Sequence, residues 1–152
     1  MGGWRLGAAV GNAKAINTLL QVKSNIDSGH FRPIYDAGIT AIDTTPRSWI
    51  DERNRIYERR RDRILSVLPD IGLRAQKTKG SLYIWAYVED SDGAGYVENA
   101  LMHAHVAFAP GEAYGPGGKP YIRISLGIED ERLEIALQRL KLWYAGSSSS
   151  AV

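Results

Sequence analysis

The spacing of apolar residues changes once along this chain, near residue 72, and that change limits what it can fold into. Up to Leu68 the apolar positions recur at helical intervals; beyond Gly72 they cluster into short runs alternating with polar residues. One helical segment followed by a strand-rich one excludes a pure bundle and a pure sandwich.

The helical part begins after a short apolar run, residues 4–10, ending at Gly11, which reads as a buried strand. A core strand so near Met1 implies neighbours earlier in a longer chain. Asn12 is a good N-cap for a helix through about residue 23. A second helix follows over 31–42 with Pro33 in its first turn. After Thr44-Thr45-Pro46 a long helix spans 47–68, with Trp49, Ile50, Ile56, Tyr57, Ile64, Leu65 and Leu68 as its buried stripe.

The second part reads as strands at 73–78 and 82–88 around a Lys79-Gly80 turn, a short helix at 96–104, and strands at 106–109 and 121–126 flanking a glycine-rich loop. An amphipathic helix over 129–144 closes it, and residues 146–152 form a serine-rich, disordered tail. The fold class is α/β, with an α+β second part behind a remnant of another domain. The expected division is 1–45, 46–145 and 146–152.

Charge and composition narrow the function. A formal net charge of +2 gives no reason to invoke a polyanionic partner. The arginine-rich run from Arg53 to Arg63 is interleaved with Glu58 and Asp62, and Asp51 is spaced to pair with Arg55, so it reads as a solvated helix face and no nucleic-acid partner is expected. No apolar run approaches the ~18–20 residues that span a bilayer, and none of the residues is a cysteine; a cytoplasmic protein with no membrane partner is the expectation. His103 and His105 lack further partners at metal-binding spacing, so no metal site is assigned. The loop from Gly111 to Pro120 has Ala113 and Pro120 where a phosphate loop needs Gly and Ser or Thr.

Two arginines are harder to dismiss. Arg123 interrupts the apolar run Tyr121-Ile122-Ile124-Leu126, and Arg5 sits between Trp4 and Leu6. Arginine in such a place is paired or binds an anion through its planar fork. From pattern alone, a structural ion pair and a carboxylate or phosphate site stand side by side for both.

A resemblance bears on that choice. Gly3-Trp4-Arg5-Leu6-Gly7 resembles the segment after the cofactor lysine in class I/II (fold-type I) aminotransferases, where Ser-Lys is followed after five residues by Gly-x-Arg. Residues 23–31, Lys-Ser-Asn-Ile-Asp-Ser-Gly-His-Phe, are similar to a stretch in the LL-diaminopimelate, alanine and aspartate aminotransferase branch. Lys79-Gly80-Ser81-Leu82-Tyr83-Ile84-Trp85 looks like the small-domain strand. Val106-Ala107-Phe108-Ala109-Pro110-Gly111 through Gly115, with Tyr121-Ile122-Arg123-Ile124-Ser125, resembles the block that ends in the substrate arginine.

The resemblance implies amino-group transfer between an amino acid and a 2-oxo acid with pyridoxal 5'-phosphate, in a homodimer. It implies cofactor-phosphate binding by Arg5 and α-carboxylate binding by Arg123. It also places the Schiff-base lysine four residues before Met1, so no catalytic residue is assigned here, and the chain is expected to be an inactive C-terminal part of such an enzyme. The alternative is a non-catalytic small-domain interaction module or a gene remnant.

Overall fold

A computed structural model describes residues 2–149. The chain divides into two compact units, Met1–Asp51 and Glu52–Val152. The division falls inside the helix over Arg47–Val67.

In the first unit a 3-10 turn at Gly2–Trp4 leads into Arg5, whose φ of +57° lies in the left-handed region. The run 6–10 forms no strand, which corrects the expectation for 4–10. A strand needs a ladder partner, and among the described residues every paired strand belongs to the other unit. Val10 is 93% exposed and Trp4 65%. Leu6 packs instead on the helix over Arg32–Thr44, where its Cδ2 lies 2.3 Å from the place a Cβ on Gly38 would take.

Helix α1, Ala13–Ile26, starts as the cap predicts: the Asn12 side-chain oxygen accepts from the N–H groups of Lys14 (3.0 Å) and Ala15 (3.3 Å). It runs nearly one turn further than expected, to Ile26, and its C-cap Asp27 pairs with Lys23 and accepts from the Gly29 N–H. Helix α2, Arg32–Thr44, carries Pro33 in its first turn, where the missing N–H has no intrahelical acceptor anyway.

Helix α3, Arg47–Val67, is followed by a 3-10 turn at Leu68–Ile71 that Gly72 closes at φ +68°. The second unit then builds a four-stranded antiparallel sheet from β1 (Leu73–Arg74), β2 (Tyr83–Val88), β3 (Ala109–Pro110) and β4 (Tyr121–Ser125), in the order β1-β2-β4-β3. Between β2 and β3, helix α4 (Gly93–Asn99) continues as a π-helical turn, Ala100–Ala104. Helix α5 is Asp130–Ser149.

The strands differ in length from their expected ranges for identifiable reasons. Only Leu73 and Arg74 pair with β2, because residues beyond them are drawn to α3: Arg61 donates to the Thr78 carbonyl (2.9 Å) and Lys77 pairs with Asp62 (3.0 Å). The third strand starts at Ala109 and not at Val106, whose N–H closes the π turn on the Ala100 carbonyl (3.2 Å). Helix α5 runs to Ser149, so residues 146–149 are helical where a disordered tail was expected; the Ser147 hydroxyl donates to the Tyr144 carbonyl within it (2.9 Å). Residues 150–152 of that expected tail lie outside the described residues.

The core of this unit lies on one face of the sheet. Ile84, Ala86 and Val88 of β2 and Ile122 and Ile124 of β4 are buried in one cluster with Ile64 and Val67 of α3, Tyr96 of α4, and Leu133, Leu137 and Leu140 of α5. Of the stripe expected on α3, Ile64 and Leu68 are fully buried and Tyr57 and Leu65 partly so, whereas Trp49 is exposed. Period-2 alternation sends the remaining side chains of β2 and β4 to the opposite face.

Candidate functional site

That opposite face carries Tyr83, Trp85 and Tyr87 from β2 and Tyr121, Arg123 and Ser125 from β4, none of them buried. Register places Trp85 directly opposite Arg123, Tyr83 opposite Ser125 and Tyr87 opposite Tyr121. The rings contact one another in sequence: Tyr87 edge-on to Tyr121 (5.4 Å), Tyr121 stacked on Trp85 (5.4 Å, 20° between planes), and Trp85 edge-on to Tyr114 (5.7 Å).

An arginine sits at each end of this row. The Arg123 guanidinium carbon lies 4.1 Å from the Tyr83 ring centroid and 4.8 Å from that of Tyr114. At the other end Arg74 lies 5.1 Å from the Tyr87 centroid and 3.9 Å from a Glu89 oxygen. A hollow of about 630 Å³ opens there, lined by Arg74, Gln76, Thr78, Trp85, Tyr87 and Tyr121.

Tyr114 reaches the row because the glycine-rich loop is folded tightly. Residues Gly111–Tyr114 and Pro116–Gly118 form two 3-10 turns, and the backbones of Gly111 and Gly118 touch. A Cβ on Gly118 would lie 2.0 Å from the Gly111 carbonyl oxygen, and one on Gly111 2.4 Å from that of Gly118, so only glycine fits at either position. The glycines serve loop closure.

Arg123 makes no ion pair and donates no hydrogen bond among the described residues. Its guanidinium carries five N–H donors, and these stay open to solvent, since among the described residues no buried side-chain nitrogen lacks a partner. The structural ion pair that the pattern left open is therefore not what Arg123 does among these residues. A planar anion is the partner its geometry suits.

Arg5 also makes no ion pair among the described residues, and its side chain is exposed. It belongs to the Met1–Asp51 unit and Arg123 to the other. As an exposed cation Arg5 can meet an anion. Among the lysines, Lys23, Lys77 and Lys141 are paired with Asp27, Asp62 and Asp70.

The other candidate groups are accounted for locally. Asp51 pairs with Arg47 (3.0 Å) rather than with Arg55. In the arginine-rich run, Arg59 and Arg60 bind Asp130, Arg63 binds Glu134, and Arg60 also donates to the Leu126 carbonyl (3.2 Å). His105, at φ +56°, caps the π turn, and no group of three metal-binding side chains comes together among the described residues. No helix of the described residues is long and apolar enough to cross a membrane.

A helix-backed antiparallel sheet, with an arginine on its open, aromatic face that has no ion pair among the described residues, defines a mixed α/β domain equipped to hold an anion. The family model for aminotransferase class I and II matches residues 1–140, and the chain belongs to that family. It is 42% identical to an LL-diaminopimelate aminotransferase of Moorella thermoacetica over 93% of its own length and 36% of the relative's. It is also 42% identical to one of Dehalococcoides mccartyi, over 92% and 36%. Among solved structures, an aminotransferase from Staphylococcus aureus superposes with a TM-score of 0.81 at 29% identity, over 95% of this chain and 39% of that one. The aspartate aminotransferase of Rhizobium meliloti gives 0.78 at 28% identity, over 95% and 39%. The chain thus spans little more than a third of the length of these relatives.

The α/β fold class and the family resemblance read from the ordered motifs agree with these matches. Missed in the sequence was the contact of Arg123 with two tyrosines. A signal existed, since Tyr83 lies two residues from Trp85 on the same strand face, but Tyr114 comes from a loop whose path no periodicity encodes.

Proposed function

We propose that this chain carries the substrate-carboxylate clamp and one cofactor-phosphate contact of a pyridoxal-5'-phosphate-dependent aminotransferase acting in the cytoplasm. Residues 1–45 then belong to the large, cofactor-binding domain and 46–145 to the small C-terminal domain. The reaction moves an amino group between an amino acid and a 2-oxo acid, in the homodimer that the resemblance implies. LL-Diaminopimelate is the first donor to try, given the relatives named above.

The cofactor, when bound, supplies an electron sink for the substrate Cα. Arg5 would contribute a positive charge to its phosphate. Arg123 would take the α-carboxylate in a bidentate grip, fixing the substrate's orientation. The observation that carries this reading is the Arg123 guanidinium on the aromatic face, without an ion pair among the described residues.

With no lysine of this chain at the motif position, the purified chain is expected to show no transaminase turnover. The assay supplies pyridoxal 5'-phosphate, LL-diaminopimelate and 2-oxoglutarate and follows the glutamate formed; robust turnover refutes the inactivity. In parallel, calorimetric titration with 2-oxoglutarate is expected to give binding that Arg123→Ala abolishes. Equal binding by that variant refutes the carboxylate clamp.

One observation favours a second reading, a non-catalytic interaction module. In the Met1–Asp51 unit Ile26, Phe31 and Ile42 are each at least 75% exposed, with Leu19, Leu20 and Ile39 about half exposed or more. A chain that stays monomeric and binds no apolar dye at that surface would exclude it.

A further inference from the structure

We infer that Tyr83 and Tyr114 are positioning residues for Arg123, holding its guanidinium against their π-faces so that its N–H groups stay aimed at an incoming carboxylate. The inference rests on Arg123 being the carboxylate clamp. Both rings lie within cation–π reach of the guanidinium carbon, at 4.1 and 4.8 Å, and no hydrogen-bond acceptor or carboxylate among the described residues competes for it.

The Tyr114 ring is held independently of the arginine, and Tyr83 is placed by strand register. Tyr83 stands on β2 diagonally across from Arg123, on the same face as Trp85. Tyr114 leans edge-on against Trp85, which is stacked in turn on Tyr121. Its backbone ends a 3-10 turn that the Gly111–Gly118 contact pins. Arginine is otherwise rotamer-rich, and ordering it only when a ligand arrives would cost affinity. Rings already in contact with the guanidinium remove part of that cost, while their own exposure, 40% for Tyr83 and 53% for Tyr114, leaves the donors open to a ligand.

A role through the ring differs from one through the hydroxyl. Removing the hydroxyl spares a π-face, whereas a leucine keeps apolar bulk and removes it. The test is an NMR titration of the full 152-residue chain with 2-oxoglutarate, reading the Arg123 Nε–Hε signal, in the wild type and in Tyr83→Phe, Tyr114→Phe, Tyr83→Leu and Tyr114→Leu. In the wild type the Arg123 side-chain protons are expected at ring-current-shifted positions. Each Phe variant should bind within about twofold of wild type, and each Leu variant about two- to fivefold more weakly, as the loss of a partly exposed cation–π contact implies.

Leu variants that bind like the wild type overturn the inference, and Phe variants weakened as much as Leu overturn it in favour of a hydroxyl contact. If Tyr83→Leu, on the sheet, loses the folded amide spectrum, Tyr114→Leu and the wild-type ring-current shift decide; unshifted Arg123 protons overturn it. A wild-type Arg123 signal that ignores 2-oxoglutarate sinks the clamp reading and this inference with it, whereas a responsive wild type with indifferent Leu variants sinks the inference alone.

Discussion

The Arg63 guanidinium grips the Glu134 carboxylate through two hydrogen bonds of 2.7 Å each, tying α3 to α5. One turn away Arg59 and Arg60 share Asp130, and Arg61 and Lys77 share Asp62. The most basic stretch of the sequence is thus largely occupied in holding the second unit together. Most of these groups are exposed, so each pair is worth little in isolation and the effect is collective.

Those pairs set an acid limit on stability. The hydrogen bond from Arg61, with that from Lys77, holds the Asp62 carboxyl down at about 2, while Arg59 and Arg60 lower Asp130 and Arg63 lowers Glu134. A carboxyl whose pKa is depressed in the folded state stabilises it above the unfolded value and loses that contribution as pH falls through the folded one. Unfolded values are 3.8 for Asp and 4.5 for Glu, so the urea midpoint should be level from pH 7 to 5 and fall from about 4.5 towards 2. A midpoint unchanged at pH 2.5 contradicts the assignment.

Core and surface apolar residues should separate sharply on substitution. Ile84 and Ile122 are 1% and 0% exposed at the centre of the sheet. Truncation of either to alanine leaves a cavity and is expected to cost about 2–5 kcal/mol. Phe31, 75% exposed, should change stability by less than about 0.5 kcal/mol when replaced by alanine. Chemical denaturation of the three variants tests the contrast; an equal loss at Phe31 would show that its surface is covered in solution.

What was legible in the sequence follows from how local each signal is. The helices α1 to α5 announce themselves through caps and apolar period, and Asn12 caps as read. The place of Arg123 off the core face follows from alternation with Ile122 and Ile124. Residues 4–10 misled because apolar character does not supply a ladder partner. The strand expected over 73–78 stops at Arg74 because Arg61 and Asp62 of α3, more than ten residues earlier, hold Thr78 and Lys77. Arg59 and Asp130 are 71 positions apart, and no i,i+4 rule anticipates their meeting.

The cap at Asn12 should be measurable alone. Its side-chain oxygen serves two of the N–H groups that open α1, and in Asn12→Ala those donors turn to water. The expected loss is about 1 kcal/mol, confined to the first unit. Amide hydrogen exchange at Lys14 and Ala15 reads it directly, and unchanged protection there would contradict the capping role.

The glycine loop offers the sharpest structural test of the aromatic face. Gly111→Ala would drive a Cβ to 2.4 Å from the Gly118 carbonyl oxygen and 2.7 Å from that of Tyr121, both backbone atoms that cannot swing aside. The two turns must separate, and Tyr114, at the end of the first, must move off Trp85. Strain of this kind costs about 1–3 kcal/mol. Gly117→Ala is the matched control, since a Cβ there meets nothing within 4 Å. Thermal unfolding should show a lowered Tm for Gly111→Ala alone, with an altered Trp85 environment in near-ultraviolet circular dichroism and weaker 2-oxoglutarate binding. A Gly111→Ala chain as stable as Gly117→Ala would mean that the loop does not close as described, and the support for Tyr114 would go with it.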